Sequence, residues 1–432
     1  MRTSPAYPDR RTAFWVPVAI AALLLGGCDR DRPTDIAAEI ARIRAIDNHA
    51  HPVRVVGPGE QDREFDALPV DNMEPASDPV YLRPGAPGTL EARRTLFGQL
   101  GKPRVTQQKG DGYPAWVLDQ MGVDVMLANR VQMGRGIEPP RFRWVPYVDA
   151  LLFPLNNSKL AARNSDRRAF FADEETLLRR YLKDAGLAAS PASLDDYLTG
   201  VVTPTLERQK QGGAVAEKFE AAYLRPLDFD KVDRSAAARV YSQFRAKGAP
   251  PDDQYKILQD YLFRYIAGEC GRLGMAVHIH TMAGAGSYFD VEGANPLRLE
   301  SVLNDPDLRK TKFVMLHGGW PFIGEITALL EKPNAWLDFS AQSLMLPPAT
   351  LAHNLRQWLE WVPEKVLFGT DAYPYSDEMG WEESGWLAAR RGREALALAL
   401  TAMMRDGEIS HDRALELARM VLHENARKLY GL

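Results

Sequence analysis

The chain has 432 residues, 45% of them hydrophobic, which is enough apolar material for one large core or two modest ones. With 53 basic and 57 acidic residues the formal charge is −4, so no field draws the protein to nucleic acid or to an anionic membrane surface. Composition therefore excludes a polyanion-binding protein and leaves a globular chain with a small-molecule partner as the working expectation.

The first elements in chain order belong to export. Arg2, Arg10 and Arg11 precede an apolar run from Phe14 to Leu25 that is too short to span a bilayer and ends in Leu25-Gly26-Gly27-Cys28 before a charged stretch. This resembles a bacterial lipoprotein signal, which implies a signal over 1–27, lipidation of Cys28, a tether over 28–43 and a cell-envelope address facing the periplasm. The membrane would then be a partner through the lipid anchor. Cys270 is the only other cysteine, so the exported domain has no internal disulfide framework. It sits in an amphipathic run (Ile257, Leu258, Tyr261, Leu262, Tyr265, Ile266) and reads as a buried helix residue, not a nucleophile.

From residue 44 onward, short apolar runs alternate with helical stretches, the pattern of a parallel sheet. Candidate strands are 44–51, 122–130, 141–151, 213–223, 274–282, 312–319, 334–341 and 365–373. Candidate helices are 235–247, 252–272, 296–308, 321–331 and 348–361, with terminal helices over 383–405 and 411–429. Eight strands predict an α/β fold, a (β/α)8 TIM barrel over 44–432, with long insertions after strands one (52–120) and three (153–211). Such loops emerge at the catalytic face. Nothing divides the chain further into domains.

Histidines and carboxylates at strand ends carry the chemistry. His49 and His51, two apart on one strand, share a face and can reach one metal ion; His278 and His280 repeat the spacing. His317 follows the apolar run 313–316, and Asp371 follows 366–370. Imidazoles with a carboxylate at the strands' C-terminal ends suit zinc or a similar divalent ion. His278 reads as a packing residue, and His353, His411 and His423 as surface or structural positions on helices.

The motifs Ile46-Asp47-Asn48-His49-Ala50-His51-Pro52, His280-Thr281, Val314-Met315-Leu316-His317-Gly318-Gly319, Leu367-Phe368-Gly369-Thr370-Asp371-Ala372 and His423-Glu424-Asn425-Ala426-Arg427-Lys428-Leu429-Tyr430 resemble the amidohydrolase-related family. Within it the chain is similar to the amidohydrolase part of fungal and plant proteins that also carry a glutamine-synthetase-like domain. The resemblance implies His49, His51, His280 and Asp371 as metal ligands for one divalent ion, zinc first, with manganese or another divalent ion as alternatives. It makes His317 and Asp371 the catalytic pair, and it leaves Lys218 either a carbamylated bridge or, as preferred here, a substrate or structural residue. Metal-activated water would attack a C–N or C–O bond of a small amide, ester or lactone. Arg225 is the expected clamp for a substrate carboxylate, and Trp320 and Tyr373 the expected walls. The alternatives are a non-oxidative decarboxylase of an aromatic or unsaturated acid, a metal-free lactonase and a non-catalytic envelope binding protein. Oligomeric state stays open, a homo-oligomer included.

Overall fold

The computed structural model describes residues 36–57, 59–68, 83, 85–376 and 378–432. The signal and the first half of the expected tether (28–35, with Cys28) lie outside the described residues, as do Pro58 and Pro84 of the first insertion. The tether's last part is a helix, Ile36–Ala41, whose Ile36 and Ile40 are buried. It packs on the long helix Trp381–Arg405.

All eight expected strands form: β1 Ala45–Ala50, β2 Val123–Asn129, β3 Phe142–Val145, β4 Ala216–Phe219, β5 Ala276–His280, β6 Lys312–Leu316, β7 Ala335–Asp338 and β8 Val366–Leu367. Every neighbouring pair is parallel, in two arcs ordered β1-β2-β3 and β4-β5-β6-β7-β8. The arcs meet on both sides. Bridges Trp144–Ala214 and Tyr147–Lys218 join β3 to β4. After β8 the backbone continues beside β1, with Asn48 N donating to Phe368 O (2.9 Å), Asp371 N to His49 O (2.8 Å) and His51 N to Ala372 O (2.8 Å). These bonds carry the parallel ladder around the β/α barrel.

The barrel interior is a compact apolar layer made by one or two residues from most strands: Ile46, Leu127, Val145, Ala216, Ala276, Val314, Leu316 and Leu367. Ala426 and Leu429 of the C-terminal helix Asn425–Tyr430 join this layer and close the end opposite the site. Because side chains alternate with period two, Ala276, His278 and His280 share one face of β5, while Val277 and Ile279 join the larger core under the helices. His278 thus sits one layer below His280.

The strands are shorter than the sequence suggests because the chain leaves the ladder just where the polar residues begin. His317, Ala341 and Asp371 have φ of 65°, 58° and 57°, a region that residues with a Cβ seldom occupy. Each such backbone costs on the order of 1–3 kcal/mol and persists only where its surroundings hold it. The expected helix over 296–308 breaks into short turns, Pro296–Leu299, Glu300–Leu303 and Pro306–Leu308. Pro306 lacks the N–H and blocks helical continuation through Asp305, and the Asp305 carboxylate caps the turn that follows instead. The helix expected over 411–429 forms with a π turn at Met420–Glu424. Among the described residues the first insertion carries helices Pro87–Phe97, Lys102–Lys109 and Tyr113–Met121, and the second Ser165–Asp184 and Thr203–Gln211. Among the described residues no helix is long and apolar enough to cross a membrane.

Candidate metal centre

Strand β1 and the segment after β8 bring three donors together. His49 Nε2 lies 3.1 Å and His51 Nε2 3.5 Å from Asp371 Oδ1. One ligand atom from each residue falls within 4.8 Å of the other two, and this is the one such group among the described residues. His49 Nδ1 is held by the Asn129 side chain at 2.5 Å, and His51 Nδ1 by Tyr147 Oη at 3.1 Å. Both imidazoles are fixed from behind, with Nε2 turned inward. Asp371 is set by its own N–H on His49 O, while the Asp47 carboxylate accepts from Thr370 N (2.9 Å) and Oγ1 (2.5 Å).

The donor set fits a divalent cation. His49 Nε2 is buried and has no hydrogen-bond partner, although buried nitrogens ordinarily have one. Burial, followed by the charge of Lys218, lowers the His49 pKa well below the usual imidazole range; burial also lowers that of His51 against the opposing pull of Asp66. Neutral imidazoles converging with a carboxylate are the donor types that a zinc-like ion takes, any Nε2 proton being released as the ion binds.

His317 and His280 complete a ring of histidines. The His317 ring centre is 4.9 Å from that of His49 and 4.7 Å from that of His280. His280 does not join the three-donor group: its Nε2 is engaged by Met282 O at 2.8 Å, and Tyr223 packs against its ring at 4.8 Å. Its pKa is pushed down to about 3 by burial and Lys218, so it too is neutral.

A support that sequence reading missed holds His317. Ser340 Oγ donates to Asp338 Oδ1 (2.6 Å) and lies 2.8 Å from His317 Nδ1. Since the hydroxyl has one proton and Asp338 takes it, Nδ1 donates to Ser340 and Nε2 keeps the lone pair. The same Asp338 oxygen accepts His317 N (2.8 Å), and its other oxygen accepts Asn48 Nδ2 (2.7 Å). Asp66, from the first insertion, was missed as well; its Oδ2 is 3.9 Å from His51 Nδ1. The available signal was weak: Asp338 ends an apolar strand, as Asp371 does, but Asp66 follows no pattern.

The remaining expected residues divide. Tyr373 is buried, with its ring 5.1 Å from that of His51. Trp320 is half-buried against the main core and makes no ring contact with the site's histidines among the described residues. Arg225 is a correction: Nη2 pairs with Asp260 (2.7 Å) and bonds Asp228 O, Nη1 bonds Gln259, and Nε bonds Pro226 O. With its guanidinium also 4.4 Å over Phe229, its fork is already filled by protein groups. Lys218 is buried inside the barrel, 3.8 Å from Glu220. His278 bonds Tyr430 Oη at 2.7 Å, a packing role. Cys270 is a buried helix residue.

Comparison with known proteins agrees with this architecture. A family model described as Amidohydrolase matches residues 153–432. The protein FluG of Emericella nidulans is 26% identical over 230 residues, 50% of this chain and 26% of FluG, so the chain matches only about a quarter of that relative. A putative metal-dependent hydrolase from Lactobacillus casei superposes with a TM-score of 0.61 at 16% identity, covering 92% of this chain and 97% of its own. Glucuronate isomerase from Caulobacter crescentus (0.59, 12% identity, covering 91% and 93%) and uronate isomerase from Thermotoga maritima (0.58, 13%, covering 91% and 97%) share the fold.

Proposed function

The chain belongs to the amidohydrolase family, an enzyme of the metal-dependent hydrolase superfamily, and from that premise we propose that it hydrolyses a C–N or C–O bond of a small amide, ester or lactone. The observation that carries this is the orphaned His49 Nε2 facing Asp371 beside His51. His49, His51 and Asp371 would hold one divalent ion, zinc first, with His280 as the further expected donor. When bound, such an ion polarises a substrate carbonyl and acidifies water.

The chain's own residues supply the remaining chemistry. The free oxygen of Asp371 accepts a proton from the attacking water. His317 has its Nε2 lone pair available because Ser340 and Asp338 occupy the other side of its ring, and it passes that proton on to the leaving group. Tyr373 and the neighbouring Phe65 ring, 5.7 Å away, shield the His51 side from solvent. Metal analysis of the purified protein tests the reading. One equivalent of metal in the wild type, lost in His49→Ala and Asp371→Ala, with hydrolytic turnover in an amide, ester and lactone screen, is the expected result. Carbon dioxide release without hydrolysis would move the chain to the decarboxylases, and no metal after reconstitution would end the assignment. We further infer that Cys28 carries a lipid anchor in the cell envelope, on the sequence pattern alone.

A further inference from the structure

The segment 62–68 of the first insertion is fastened to the end of β2. Asp62 receives Arg130 through two parallel bonds, Nη1 to Oδ2 at 2.8 Å and Nη2 to Oδ1 at 2.9 Å, with both side chains fully buried. Asp62 also accepts from Arg54 N (3.0 Å), and Val131 N donates to Glu64 O (2.8 Å). Arg130 directly follows Asn129, the residue that holds His49, so one strand end secures both a metal-centre histidine and the insertion. A bidentate pair of this kind fixes the direction of a segment as well as its place.

That direction brings Asp66 against the metal centre. Its Oδ1 is taken by Ala67 N (2.7 Å) and Leu68 N (3.3 Å), while Oδ2 lies 3.9 Å from His51 Nδ1 on a side chain that is 6% exposed. Oδ2 is buried and has no full hydrogen-bond partner; the side-chain donors that act on the carboxylate are the hydroxyls of Tyr147 and Tyr373. Burial raises the Asp66 pKa, and His51 with the two N–H groups on Oδ1 pulls it back. Tyr147 Oη is itself 3.1 Å from His51 Nδ1. That hydroxyl has one proton and two acceptors to choose between, a neutral ring nitrogen and a carboxylate oxygen that lacks a donor. The bond to the charged group is the stronger, so the proton goes to Asp66 and Tyr147 accepts from His51 Nδ1–H. The competing bond, from His51 Nε2–H to Asp371 Oδ1, would span 3.5 Å, too long to outweigh it.

We propose that Asp66 is a positioning residue of the metal centre, acting through the Tyr147 hydroxyl to keep the His51 ring proton on Nδ1 and so leave Nε2 free for the ion. The assignment rests on the reading of His49, His51 and Asp371 as a metal site. It repeats at His51 the arrangement at His317, where the Ser340 hydroxyl stands between the imidazole and the Asp338 carboxylate. Metal-binding histidines ordinarily give their other N–H to such a partner, and loss of the partner costs about 10–100-fold in metal affinity. The first insertion thereby becomes part of the centre, supplying a charge that no barrel strand provides.

Zinc affinity, measured by competition with a chromophoric chelator, and nitrogen NMR of the metal-free, histidine-labelled full-length protein provide the test. In Asp66→Asn the two backbone N–H groups keep the amide oxygen at the Oδ1 position, so the NH2 replaces Oδ2; Tyr147 then accepts from it and donates to His51 Nδ1. The His51 signals, identified by their loss in His51→Gln, should read Nδ1–H in wild type and Nε2–H in Asp66→Asn, and zinc affinity should fall about tenfold or more. Tyr147→Phe should lose zinc affinity to a similar extent, with the double variant no weaker than the weaker single one because the two act in series, while Arg63→Gln, at an exposed neighbouring position, should match wild type. Should Asp66→Asn fail to fold, the wild-type tautomer and Tyr147→Phe decide. A wild-type His51 protonated on Nε2, an Asp66→Asn variant that keeps either the wild-type tautomer or the wild-type zinc affinity, or additive losses in the double variant would overturn the proposal. A wild type that takes up no zinc yet shows the tautomer change would sink the metal reading and leave the link from Asp66 through Tyr147 to His51 standing.

Discussion

Replacing Asp338 with asparagine tests how the site is held. The fully buried carboxylate accepts four hydrogen bonds: His317 N (2.8 Å), Ser340 N (3.2 Å) and Ser340 Oγ (2.6 Å) on Oδ1, and Asn48 Nδ2 (2.7 Å) on Oδ2. An asparagine has one acceptor oxygen, so either the Asn48 amide or the two backbone N–H groups must face an NH2. Each buried donor stranded in this way costs about 1–3 kcal/mol. Burial raises the Asp338 pKa, so removing its charge recovers part of that loss. The net expectation is a destabilisation of about 2–4 kcal/mol in urea unfolding at neutral pH, with the slope unchanged. The same substitution tests the support of His317. Keeping the amide oxygen at the Oδ1 position strands one donor instead of two, so Ser340 Oγ still donates to it and the His317 proton stays on Nδ1. Nitrogen NMR of histidine-labelled protein, with the His317 signals identified by their loss in His317→Gln, should show Nδ1–H in both proteins. A variant within about 0.5 kcal/mol of wild type, or a wild-type His317 protonated on Nε2, would refute the relay.

Asp47, whose pKa burial raises to about 7, gives a pH signature. From the unfolded value of about 3.9 up to about 7 the folded state binds more protons, so its contribution to stability is fully present at low pH and is lost as pH rises through 7. The stability of wild type relative to Asp47→Asn should therefore decline between pH 4 and 7 and level off above; a flat difference would contradict the burial argument. Arg225→Gln leaves Asp260 buried with Lys256 (2.6 Å) as its remaining cation, so a loss of about 3 kcal/mol with normal zinc uptake is expected. Unchanged unfolding together with lost substrate binding would return Arg225 to the substrate. Cys28→Ser should release the protein from the membrane fraction and abolish labelling by a radioactive fatty acid, and continued labelling would refute lipidation at that position.

What was legible in the sequence follows from geometry. Buried parallel strands are apolar runs ending in polar residues, so β1 to β8 could be located, and the period of two made His49 with His51, and His278 with His280, visible as same-face pairs. The strand ends were overrun because the functional residues leave the ladder: a positive φ at His317 or Asp371 has no signature in a non-glycine residue. Supporting groups were hidden for another reason. Asn129, Tyr147, Ser340 and Asp338 are single polar residues on three different elements, and only the closing of the barrel brings them against the histidines. Arg225 misled because a residue beyond a strand end can turn either way, and here Asp260 and Phe229 draw it outward.

Arg167 shows the same limit from the opposite side. In sequence it stands beside Arg163 and Arg168, with nothing to separate the three. In the fold Arg163 meets Asp252 near solvent, while Arg167 is carried inward by the turn of its helix, past Phe170 and onto the aromatic pair that covers His280. Beyond that histidine the imidazole and carboxylate donors of His49, His51 and Asp371 converge on one point. Strain at Asp371 and His317 and the desolvation of several imidazoles would be hard to maintain for packing alone, since apolar side chains would fill the same space more stably.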